Sequence, residues 1–178
     1  MAGLEKLWPF KPPRAREDAE RLVARVTQIS RQPSFFGEGR VPDTLAGRLE
    51  VVTLNASLAF LRLRQDSALE PLSQHFADVL FSSFDAGLRE AGVGDTAVPK
   101  RMRRIAADFY GRLNAYANAL AKGDAAALER ALSRNVLGAE NAPFAVALSA
   151  YARANATLQA QAGPDALFRL DGWARAPA

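Results

Sequence analysis

The sequence predicts an all-α fold, a single bundle of about six helices. Two observations carry this expectation. Apolar residues recur three and four positions apart through most of the chain, and no segment alternates with period two for long enough to make a convincing strand. Proline, glycine and small polar residues mark where successive helices should start and stop.

Residues 1–15 read as a tail, because Pro9, Pro12 and Pro13 oppose regular helix. Leu4, Leu7, Trp8 and Phe10, beside Lys6, Lys11 and Arg14, suit either loose docking on the body or contact with a lipid surface. Residues 16–178 read as one helical domain. Its first helix is expected from about Glu17 to Arg31, with Leu22, Val23, Val26 and Ile29 on one face and Pro33 as the stop. Asp43 or Thr44 is placed to cap a second helix that runs to about Arg64.

The second helix is apolar on two sides. Leu45, Leu49, Val52, Ala56, Ala59, Phe60 and Leu63 make one stripe, and Val51, Leu54, Leu58 and Leu61 make another. A helix of that kind is normally buried on both sides, as the centre of a bundle. The competing reading makes the second stripe an apolar client groove.

A third helix, about Ala68 to Ala91, should bury Leu69, Leu72, Phe76, Val79, Leu80, Phe84 and Leu88, and Gly92 and Gly94 stop it. The fourth opens near Pro99. Val98, Met102, Ile105, Phe109, Leu113, Tyr116 and Leu120 form its buried stripe, and Gly123 ends it. Asp124 can cap a short fifth helix carrying Leu128 and Leu132. A sixth opens near Pro143 with Phe144, Leu148, Tyr151 and Leu158. Beyond residue 163 the chain reads as irregular, with Trp173 packing back on the body.

Composition narrows the chemistry. There is no cysteine, so disulfides, thiolate ligands and a cysteine nucleophile are excluded. The single histidine, His75, excludes bis-histidine haem ligation and multi-histidine zinc sites within this chain, and it reads as a flank residue. No paired-carboxylate, triad or metal-ligand spacing stands out, so the expectation is no catalytic residues, no metal, no cofactor and no enzyme activity. With 23 basic against 19 acidic residues, the net charge of +4 permits an anionic partner without requiring one. The absence of a membrane-length apolar run or a secretory signal leads to a cytoplasmic expectation, with peripheral membrane contact allowed.

Residues 85–112, DAGLREAGVGDTAVPKRMRRIAADFYGR, carry the most information. Lys100, Arg101, Arg103 and Arg104 crowd the first turns of the fourth helix, where positive charge opposes the macrodipole. Local helix stability therefore does not explain them, and they should face solvent or a partner. Asp108 can pair with Arg104 and Arg112 at i±4. Before this helix lies a glycine-bearing acidic turn, Gly92-Val93-Gly94-Asp95, whose glycines can take positive φ. It brings Asp85, Glu90 and Asp95 towards the basic cluster. The arrangement reads either as an internal salt-bridge network or as a mixed-charge recognition surface. The GxG is not a phosphate loop, because the preceding strand and the spacing are missing.

This stretch resembles the ubiquinol–cytochrome c chaperone family, which assists cytochrome b and respiratory complex III assembly. The resemblance rests on Asp85, Leu88, Arg89, Glu90, Gly92, Val93, Gly94, Asp95, Val98, Pro99, Lys100, Arg101 and Met102, and then on Phe109, Tyr110, Gly111 and Arg112. Earlier, Val41-Pro42-Asp43-Thr44 and Gly47-Arg48-Leu49-Glu50 look like the family's approach to its second helix. The similarity spans roughly residues 16–140. Thr96-Ala97 departs from it, being smaller than the family's usual residues after this turn. Without a targeting extension, the chain reads as a bacterial-type member.

The resemblance implies a non-enzymatic chaperone that binds newly made cytochrome b. It also implies contact with the ribosome near the exit tunnel and a small helical partner protein, as in mitochondrial members, and it involves no DNA. The family supplies no catalytic residues to carry over. The expected partner surface is Asp85, Arg89, Glu90, Gly92, Gly94, Asp95, Lys100, Arg101, Arg103, Arg104, Tyr110 and Arg112. The alternative function is a basic helical module that binds RNA or the ribosome.

Overall fold

The structure is a computed structural model that describes residues 14–177. The expectations for residues 1–13 of the tail, including Leu4, Leu7, Trp8 and Phe10, fall outside the described residues, while Ala15, placed at the end of the tail, is buried and opens the first helix. Six α-helices follow one another: α1 Ala15–Ser30, α2 Leu45–Leu63, α3 Glu70–Glu90, α4 Val98–Lys122, α5 Ala125–Val136 and α6 Phe144–Gln161. Short 3₁₀ turns precede α3 and follow α1 and α6. Among the described residues there is no strand beyond one isolated bridge between Phe36 and Val41. The all-α bundle expected from periodicity is the fold observed.

Local chemistry sets the helix ends. The Thr44 hydroxyl accepts from the Gly47 N–H at 3.1 Å, so Thr44, and not Asp43, caps α2. Asp43 instead accepts from the Arg48 guanidinium. Gly47 is confined by the loop before it, because a Cβ there would stand 2.0 Å from the Pro42 carbonyl oxygen. Asp124 caps α5 by accepting from the Ala127 N–H at 2.9 Å. Pro99 sits in the first turn of α4, where its missing N–H costs nothing.

α2 occupies the middle and touches each of the other five helices. This accounts for its two apolar stripes. Val51, Leu54 and Leu58 are core residues and Leu61 is half-buried, so the expectation of an open client groove along them is corrected. Helices pack on both sides of α2, and the stripe is already covered. Leu45, at the first turn, is the exception and is exposed.

The centre also holds polar groups that apolar periodicity cannot register. The Tyr151 hydroxyl donates to Asn55 Oδ1 at 2.6 Å, and Asn55 Nδ2 donates to Ser30 Oγ at 3.0 Å, tying α6, α2 and α1 together. Asn155 Oδ1 accepts from the Ala174 N–H at 3.0 Å, and the Trp173 indole N–H donates to the Leu167 carbonyl at 3.1 Å. The irregular C-terminal segment is thereby docked, with Trp173 buried as expected.

Candidate functional site at the α3–α4 elbow

α3 ends in a tight reversal. Gly92 has φ +80°, and the Val93 N–H donates back to the Leu88 carbonyl at 3.0 Å, closing the last turn. Gly94 does not take positive φ. Its carbonyl instead accepts from the Ala97 N–H at 2.8 Å, which opens α4. The elbow therefore needs glycine freedom at Gly92, not at both positions.

One cation holds the acidic side of the elbow. Arg89 Nε donates to Asp85 Oδ2 at 2.6 Å, and its Nη1 donates to Asp95 across the turn. Asp85 foremost, then Asp95, holds the guanidinium more firmly protonated. Asp85, Arg89 and Asp95 thus form the internal network that was one of the two readings of this segment. Glu90 is exposed beside it with no ion pair among the described residues.

The basic cluster lies outside that network. Lys100, Arg101 and Arg103 are exposed, and no carboxylate of the described residues lies within ion-pair distance of them. Arg104 reaches only Asp108, at 3.7 Å, with its side chain 85% exposed. Asp85 and Asp95 are taken up by Arg89, so the first two turns of α4 present positive charge to solvent. Further along α4, Tyr110 is 41% exposed and its ring rests on Phe81 of α3 at 5.9 Å, with Phe109 completing the aromatic group.

Arg112 turns away from the cluster. It donates from Nη2 to Glu50 Oε1 on α2 at 2.7 Å, with both side chains 20% exposed, and it lies 3.8 Å from Asp108. Asp108 therefore stands between Arg104 and Arg112, as the i±4 spacing predicts. Of the twelve residues expected to form one partner surface, eleven lie at the elbow or on exposed turns of α4, and Arg112 joins a helix seam instead. Sequence reasoning placed Glu50 in a family-like run but missed it as the partner of Arg112. The spacing of 62 positions between them carries no local signal.

Burial pushes the Glu50 carboxyl up to about 7, against the opposing pull of Arg112 and with a smaller push from Asp108. The Tyr116 hydroxyl, one turn beyond Arg112, is raised above its ordinary value by burial. Glu50 Oε2 and Arg112 Nε are buried without a hydrogen-bond partner, while the Tyr116 hydroxyl has the Asn135 side chain beside it.

Two surface clefts lie elsewhere. One, of about 470 Å³, is lined by residues including Arg14, Asp18, Asp165 and Phe168, and the other, of about 500 Å³, by residues including Arg31, Pro33, Leu170 and Trp173. No cluster of three or more histidine, aspartate or glutamate residues suited to a metal occurs among the described residues. Among these residues, no helix is long and apolar enough to cross a membrane.

Comparison with known proteins bears on the same residues. The ubiquinol–cytochrome C chaperone family pattern matches residues 38–170, which starts later and ends later than the resemblance over residues 16–140 indicates. Glu50, the elbow and Arg112 all fall within the match. Nothing among curated proteins matches. Among solved structures, the chain is similar to the crystal structure of the Cbp3 homolog from Brucella abortus. The two are 36% identical, the alignment covers 93% of this chain and 92% of that one, and the TM-score is 0.77. The chain belongs to the ubiquinol–cytochrome c chaperone family.

Proposed function

We propose that this protein is a non-catalytic assembly chaperone that binds newly made cytochrome b on its way into complex III, using the α3–α4 elbow and the first turns of α4 as its partner surface. Family membership supports the chaperone role. One observation supports the surface: Lys100, Arg101 and Arg103 have no carboxylate among the described residues within ion-pair distance, Arg104 reaches only Asp108, and Asp85 and Asp95 are bound by Arg89. Nothing in α4 itself gains from cations at its N-terminus, so a partner is the natural source of their value. The exposed Tyr110 on Phe81 adds an aromatic contact to the same helix.

Deleting the gene in its own host and measuring membrane b-type haem and cytochrome b by immunoblot tests this reading. Selective loss of cytochrome b is the expected result, and an unchanged level would overturn it. A small helical partner protein, peripheral contact with the membrane and contact with the ribosome belong to the same proposal as further occupants of the basic face.

The exposed basic cluster also suits a second reading, a module that binds ribosomal RNA by its phosphates. Salt-sensitive RNA binding with cytochrome b unaffected by the deletion would favour it.

A further inference from the structure

The seam between α2 and α4 is closed over an under-bonded ion pair. One hydrogen bond, from Arg112 to Glu50, joins the two charges. Around it, Glu50 Oε2 and Arg112 Nε are buried with no partner. Buried polar atoms are ordinarily satisfied, and each of these two would gain a hydrogen bond if water entered. The groups facing Glu50 are few. From α4 they are Arg112, Asp108 and Tyr116, and from α5 the uncharged Asn135 lies beside Tyr116. On its own helix the nearest cation, Arg48, is paired with Asp43. Arg112 also has a second carboxylate in reach, since Asp108 lies 3.8 Å away on its own helix.

We propose that the α2–α4 seam is a proton-linked joint: it closes when Glu50 is neutral, and it loosens and admits more water when Glu50 is charged. The direction follows from solvation. A charged carboxylate is penalised by the closed seam and not by the open one, so the open form holds its proton less tightly. Raising the pH therefore favours opening. In the open form Arg112 is free to take Asp108, and the two unpartnered atoms are hydrated. The seam passes through Phe60 of α2 and Phe109 of α4, whose rings lie 5.6 Å apart, so loosening it also frees the helix that carries the basic cluster.

The experiment uses the full chain and does not depend on the chaperone role. Amide hydrogen exchange along residues 105–116 is measured across pH and corrected for the intrinsic rate, and the Glu50 carboxyl is followed by carbon NMR. With a carboxyl near 7 when closed and 4.5 when open, the opening equilibrium should rise roughly 20-fold between about pH 5.5 and 7.5. Glu50→Gln should abolish that rise. A flat wild-type profile overturns the proposal, and so does a rise that Glu50→Gln retains. If Glu50→Gln does not fold, the wild-type carbon titration decides: an inflection near neutrality supports the joint, and one below about pH 5 overturns it.

Discussion

Arg112 on α4 donates to Glu50 on α2 at 2.7 Å, and this bond joins the two stretches of sequence that carry the family resemblance. Residues 47–50 and 109–112 are far apart in the chain and meet at one half-buried pair. Arg112→Met should remove the attraction that keeps Glu50 from rising further. The cost should be about 2 kcal/mol at pH 8 and clearly less at pH 6, where Glu50 takes up a proton. Urea unfolding at both pH values checks this, and equal losses would show that the pair carries no charge linkage.

The sign of the pH dependence follows from the direction in which Glu50 is moved. Its carboxyl is raised on folding, so the folded state binds the proton more tightly than the unfolded chain does. This contribution to stability is greatest at low pH and is lost as pH rises from about 4.5 to about 7. The distance between those values corresponds to at most about 3 kcal/mol. The difference in unfolding free energy between wild type and Glu50→Gln should follow this curve and flatten above about pH 7.5.

Lys100→Glu, Arg101→Glu and Arg104→Glu together should leave the fold intact, because these side chains are exposed. At positions 100 and 101 acidic residues favour the macrodipole by a few tenths of a kcal/mol each, while at 104 glutamate faces Asp108 and loses a similar amount, so the melting temperature should hold. Capture of cytochrome b in co-purification should nonetheless fall several-fold. Unchanged capture would remove the basic face from the partner surface.

Leu54→Ala and Leu58→Ala should each cost about 3 kcal/mol, as cavities in a packed core do. A folded variant of full stability that had lost its client would mean that α2 serves as a groove after all.

Two glycines should resist substitution for different reasons. Gly47→Ala brings a methyl group onto the Pro42 carbonyl oxygen and should destabilise the α2 N-terminus by about 2 kcal/mol or more. Gly92→Ala meets open space and is opposed only by its φ of +80°, so about 1 kcal/mol is expected. Thermal unfolding of the two variants should rank them in that order.

Helix number, order and most of the ends were legible in the chain, because they depend on local chemistry: the Thr44 and Asp124 caps, Pro99 in a first turn, glycine at positions 92 and 123. The elbow was legible for the same reason. Asp85 lies four positions before Arg89, and Asp95 lies just past the turn. The Asn55–Tyr151–Ser30 network was not, since its members are polar residues inside apolar stripes and find one another only when α1, α2 and α6 pack.

The sequence by itself determined the all-α class, the basic first turns of α4 and the family to which the chain belongs. These follow from periodicity, composition and an ordered local motif. Tertiary structure decided which charges remain available. It tied Asp85 and Asp95 to Arg89, withdrew Arg112 to Glu50 and covered Val51, Leu54 and Leu58 with neighbouring helices. The physical reason is that pairing and burial depend on distances between helices, and residues 62 positions apart set those distances only once the whole bundle has closed.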